Sequence, residues 1–122
     1  SRQSNSGTYE YFRNAILGKR GEFRPGTRDL NGSKEVVSLL ASARAAIGFS
    51  GMGYATSAVK MLRVDGVAPT LQSAKNGAYR IARPLYTYSL KQPRAEVGAY
   101  LDWILSRAGQ RVLKQAGYVP VS

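Results

Sequence analysis

The sequence contains no cysteine and no histidine. Without cysteine there is no disulfide framework and no thiolate chemistry, an absence that fits either redox compartment. Without histidine the usual general base and the commonest metal ligand are missing, and hydrolase triads built on it are excluded. Acidic residues are scarce as well: seven, at Glu10, Glu22, Asp29, Glu35, Asp65, Glu96 and Asp102. Their spacing suggests neither a metal-ligand cluster nor a close carboxylate pair, so no cofactor or metal is expected. No apolar run approaches the ~18 residues that a bilayer-crossing helix needs. No signal peptide is legible, and the chain does not begin with Met, so it reads as a mature or trimmed piece. There is no internal repeat and no low-complexity segment.

What is present is positive charge on a foldable chain. Lysine and arginine outnumber the acids 18 to 7, for a net charge of +11 over 122 residues, 43% of them hydrophobic. That composition argues for a folded domain rather than a disordered tail. The charge favours anionic partners: phosphate-like ligands, nucleic acid or an acidic membrane surface.

The first residues focus that preference. Ser6 is a good helix N-cap, and Tyr9, Phe12 and Ile16 follow at helical spacing until Gly18. A helix starting near Gly7 offers free amides, the hydroxyls of Ser6 and Thr8 and the positive end of its dipole to one spot. Gly7 permits close backbone approach. Arg2 lies four residues before Ser6, within range to bring a guanidinium fork to the same anion.

Residues 19–34 read as a polar connection with turns at Pro25-Gly26 and Asn31-Gly32. Its basic residues lack an interleaved aromatic platform, which favours a solvated loop over a nucleic-acid surface. Ser33 is expected to cap a second helix, with an apolar stripe from Val36, Leu40 and Ala43 widened by Val37 and Leu39. Residues 46–50 read as a buried strand, and 59–64 as another, turning at Asp65-Gly66. The glycines at 48, 51 and 53 do not make a dinucleotide loop, because Thr56 stands where the third glycine belongs. A short helix is expected over 70–76. Residues 79–88 read as an edge or crossing strand because of Pro84. A helix with Pro93 in its first turn carries Val97, Tyr100, Leu101, Ile104 and Leu105 on one face. Ser106 starts a last helix through Gln115, which Gly117 ends. This alternation predicts an α/β arrangement.

Four landmarks, in order, resemble the periplasmic phosphate-binding proteins of ABC importers. They are Arg2-x-x-x-Ser6-Gly7-Thr8 before a helix; Ala46-Ile47-Gly48-Phe49; Tyr79 to Tyr86 with its Arg83-Pro84-Leu85-Tyr86; and Gly109-Gln110 with Gly117-Tyr118-Val119-Pro120-Val121. Ser4, where many members are acidic, and Arg80, where proline is usual, depart from the pattern. The resemblance implies one lobe, plus a return segment, of a type II periplasmic-binding-protein-like two-lobed α/β fold. Residues 1–80 would form most of the second lobe and 81–122 a return strand and C-terminal helices belonging to or packing on the first lobe, which is expected to be absent from this sequence. It implies phosphate ligands at Arg2, Ser6, Gly7 and Thr8, a transporter permease as partner, no enzymatic activity, and a periplasmic or extracellular location, with or without a membrane anchor. All of these ligands are donors, so the acceptor that tells hydrogen phosphate from sulfate would come from the first lobe. With that lobe missing, the return segment is expected to expose apolar surface and self-associate. The alternatives from the residues themselves are a basic nucleic-acid-binding module and, with no nucleophile–base pair in view, a phosphoester-cleaving enzyme.

Overall fold

The computed structural model describes residues 1–121; Ser122, the last residue of the expected 81–122 segment, lies outside them. Among the described residues, five α-helices and one 3₁₀ turn are joined by extended segments: α1 (Gly7–Leu17), α2 (Ser33–Ser42), the 3₁₀ turn Met52–Tyr54, α3 (Leu71–Lys75), α4 (Ala95–Leu105) and α5 (Arg107–Gln115). The chain divides into two compact units, Ser1–Leu62 and Arg63–Ser122.

In the first unit α1 starts as expected. Ser6 is its N-cap, with extended backbone, and its hydroxyl oxygen accepts the Thr8 amide. Gly18 closes the helix at φ 77°, a conformation that costs little only for glycine. Tyr9 and Phe12 face inward to an aromatic cluster: Phe12 stacks on Phe49 at 4.1 Å and Tyr9 meets Phe23 edge-on at 5.1 Å. Ile16, placed on the same face by the periodicity, is 49% exposed, because the cluster ends one turn earlier.

The small core of this unit lies under α2, where Leu30, Val36 and Val37 are buried. Gly48 brings the extended 46–50 segment against that helix; a Cβ there would lie 3.1 Å from Leu40 and 3.2 Å from Val36. The expected role of Ser33 as cap is corrected by one residue. Gly32 is the N-cap, without a side-chain hydrogen bond, and Ser33 is the first helical residue.

In the second unit α3 is held by a reciprocal capping box between Thr70 and Ser73. Ser106 separates α4 from α5, its hydroxyl oxygen accepting the Gly109 amide. Gln110 is buried and binds at both ends: its amide nitrogen donates to the Ile104 carbonyl at 2.8 Å and its oxygen accepts the Val121 amide at 2.8 Å. The helix expected from Pro93 begins at Ala95 instead, with Arg94 as N-cap.

The strand expectations are corrected. Residues 46–50, 59–64 and 79–88 contain no ladder, and the described residues hold two isolated bridges, Arg2↔Leu30 (parallel) and Val64↔Val67 (antiparallel). The second closes the turn at Asp65 and Gly66, both with positive φ. β-favouring side chains make a strand only where a neighbour supplies the hydrogen bonds, and no neighbour aligns with these segments. The α/β layering is therefore not seen among the described residues, which form a mixed helical chain with little strand.

Candidate functional site

Ser6, Gly7 and Thr8 form the first turn of α1. The chain enters it through a turn in which the Ser6 amide donates to the Gln3 carbonyl at 2.9 Å, and the Glu10 amide returns to the Ser6 carbonyl at 3.1 Å. The Ser6 hydroxyl oxygen accepts the Thr8 amide at 3.2 Å. That cap satisfies one orphan donor, so an anion arriving here competes with Ser6 for the Thr8 amide. The Gly7 amide has no protein partner among the described residues, and the Ser6 and Thr8 hydroxyls each keep a proton to donate. The dipole contributes about 0.3–1 kcal/mol to anion binding at an exposed terminus.

Arg2 enters from a different direction. Its backbone pairs with Leu30: the Gln3 amide donates to the Leu30 carbonyl at 3.2 Å and the Leu30 amide to the Ser1 carbonyl at 3.1 Å. Its guanidinium reaches the start of α2, where Nη1 donates to the Ser33 hydroxyl at 3.0 Å and Nη2 to the Asn31 carbonyl at 3.1 Å. Nε is enclosed and makes no hydrogen bond. Ser6, Gly7 and Thr8 are thus brought together on one turn, and no hydrogen bond joins Arg2 to them among the described residues.

Asn31 and Ser33 are the contributors that sequence reasoning missed. The first reads as half of an Asn-Gly turn and the second as a helix cap. Nothing in local spacing ties Ser33 to Arg2, 31 residues away.

Among the described residues no group of three or more acidic side chains is placed to hold a metal ion, and no helix is long and apolar enough to cross a membrane. The donor set at α1 is hydroxyl and amide, with no carboxylate among its four expected members. Such a set suits an oxyanion and does not suit a divalent cation.

No family model matches the chain. Curated relatives do. It is 38% identical over 130 residues to the phosphate-binding protein PstS of Pseudomonas aeruginosa, an alignment taking in 98% of this chain and 40% of that protein. It is 32% identical to the phosphate-binding protein PstS 2 of Streptococcus agalactiae, over 99% of this chain and 44% of that protein. Protein SphX of Synechococcus elongatus is 33% identical over 97% of this chain, which spans 38% of it. The chain is therefore similar to PstS along nearly its whole length while spanning about two-fifths the length of these relatives. They bear out the resemblance drawn from the four landmarks.

Proposed function

We propose that this chain, a partial PstS-like sequence, binds inorganic phosphate as part of the solute-binding component of an ABC phosphate uptake system, in the periplasm or outside the cell. Arg2, Ser6, Gly7 and Thr8 are its phosphate ligands. The observation that supports this most directly is the first turn of α1, which carries the Gly7 amide and the Ser6 and Thr8 hydroxyls together, in a chain whose relatives bear phosphate-binding names. A tetrahedral oxyanion takes amide and hydroxyl hydrogen bonds there and charge-assisted ones from Arg2. No step of chemistry is needed; the chain binds and does not catalyse.

Residues 1–80 belong, on this reading, to the second lobe of a two-lobed α/β protein, and 81–122 return to the first. The segments 46–50 and 79–88 gain their strand partners from the sheets of the complete protein. The first lobe supplies the remaining ligands, including the acceptor for the phosphate proton, and closure between lobes removes water from the anion. The chain alone thus holds phosphate weakly and separates it poorly from sulfate. Its partners are that first lobe and the transporter permease. The basic surface has no observation that favours nucleic acid over this anion.

Isothermal titration with phosphate, then sulfate, tests the assignment. The expected result is weak binding of both, reduced about tenfold or more by Arg2→Ala, the loss of one charged donor group. Phosphate heat that survives Arg2→Ala and Thr8→Val unchanged would place the site elsewhere. Tight, sulfate-resistant binding by this chain alone would contradict the half-site.

A further inference from the structure

The guanidinium of Arg2 ends a long flexible side chain, and its use as a ligand depends on what holds it. Two oxygens do so, both at the start of α2: Asn31 O on Nη2 and Ser33 Oγ on Nη1. The backbone carbonyl comes with the fold. The serine hydroxyl does not, and it has no structural duty at its own helix. Gly32 caps α2 without a side chain, and Ser33 occupies the next position, where a hydroxyl is not needed for capping. The turn that carries it is anchored: Val36 and Val37 are buried one turn on, the Glu35 carboxylate accepts the Asn31 amide at 3.0 Å, and Ser50 donates to the Ser33 carbonyl at 3.4 Å.

We infer that Ser33 is a positioning residue for Arg2, its hydroxyl fixing the guanidinium fork for the anion. This rests on the phosphate reading above for the identity of the anion, though not for the clamp itself. A guanidinium carries five N–H donors. Two are taken by Ser33 and Asn31, and Nε is enclosed. The second hydrogen on each Nη is then what Arg2 offers a ligand, in a fork whose rotation is already restricted. A charged donor held in place in advance loses less freedom on binding.

The test uses the full chain, labelled with ¹⁵N, and its Ser33→Ala, Ser33→Thr and Arg2→Ala forms. Arg2 side-chain signals are assigned by their disappearance in Arg2→Ala. Alanine at a first helical position suits the helix, so loss of fold is not expected from Ser33→Ala. The wild type and Ser33→Thr are expected to show slowed guanidinium rotation, with separate Nη1 and Nη2 resonances, and Ser33→Ala a single averaged one. Inorganic phosphate titrated into the same chains is expected to bind roughly three- to tenfold more weakly to Ser33→Ala, as for loss of one hydrogen bond. Ser33→Thr recovers the wild-type value, and adding Ser33→Ala to Arg2→Ala changes nothing further. Unaltered separate Nη signals in Ser33→Ala would overturn the clamp, as would an equal affinity loss in the Arg2→Ala background. If the resonances behave as expected and no chain responds to phosphate, the clamp stands and the phosphate reading falls.

Discussion

Ser6 carries two demands on one hydroxyl in the proposed reading. Its oxygen accepts the Thr8 amide and so holds the start of α1, while its proton is the one proposed for the anion. Substitution separates the two. Ser6→Ala removes both, and about 1 kcal/mol of stability should be lost in urea denaturation, together with phosphate affinity. Ser6→Asp keeps an acceptor at the cap and introduces a negative charge at the site. Its unfolding midpoint should stay near wild type while phosphate binding disappears. Phosphate binding that persisted in the Ser6→Asp variant would remove Ser6 from the site. A second residue-scale expectation concerns Tyr79, where burial raises the phenol above its ordinary value. The folded state then holds the neutral phenol more firmly than the unfolded chain does. Its contribution is complete below the unfolded value near 10, and is lost as pH rises through the folded one. Tyr79→Phe should therefore flatten the alkaline limb of a stability–pH profile and leave neutral pH little changed. An identical alkaline limb in both chains would count against it.

At the scale of elements, α5 starts so close to the end of α4 that Gly109 has no room for a side chain. A Cβ at Gly109 would run into the Trp103 carbonyl oxygen and lie 2.6 Å from the Ile104 Cα, both backbone atoms that cannot swing aside. Gly109→Ala should cost at least the 1–3 kcal/mol typical of overpacking, read as a lower unfolding midpoint. Gln110→Leu leaves the Ile104 carbonyl and the Val121 amide without partners, at about 1–3 kcal/mol for buried groups, and should free the 118–121 tail to rapid amide exchange. Slow exchange of the Val121 amide in that variant would show another group holding the tail. Helix ends were the most legible features because their causes are local. Ser6, Thr70 and Ser106 each accept an amide within three residues, and Gly18 and Gly117 adopt the positive φ their neighbours avoid. The segments 46–50, 59–64 and 79–88, read as strands, form no ladder among the described residues for the opposite reason. Residue preference describes one chain segment, whereas a ladder needs a second, and sequence spacing does not show which segments meet. The same limit hid Ser33: Ser6, Gly7 and Thr8 are adjacent and were readable as a turn, but the contact of Arg2 with α2 is made by the fold.

The whole molecule sets two opposing forces against each other. The α4 face that the 97–105 periodicity assigns to packing is largely bare, with Tyr100 at 55% and Leu105 at 62% exposure and Trp103 at 45% beside them. Leu85 is as exposed as Leu105, and Tyr86, Tyr88 and Leu90 are more exposed still. Apolar area of this kind favours covering by something, and in a solution of the chain alone the available cover is another copy. The net charge of +11 resists that, because like charges repel over a distance set by ionic strength, about 10 Å at 0.1 M. Salt should therefore promote association here by screening the repulsion, whereas an association held by ion pairs would weaken. Sedimentation velocity across a concentration series is expected to give coefficients that rise with protein, and rise further from low to moderate salt. Trp103→Ser combined with Leu105→Ser should lower both trends without changing the helix content seen by circular dichroism. A single monomer coefficient at every concentration and both ionic strengths would mean that the exposed side chains are too dispersed to join copies of the chain. Association that falls as salt is added would instead assign it to charge.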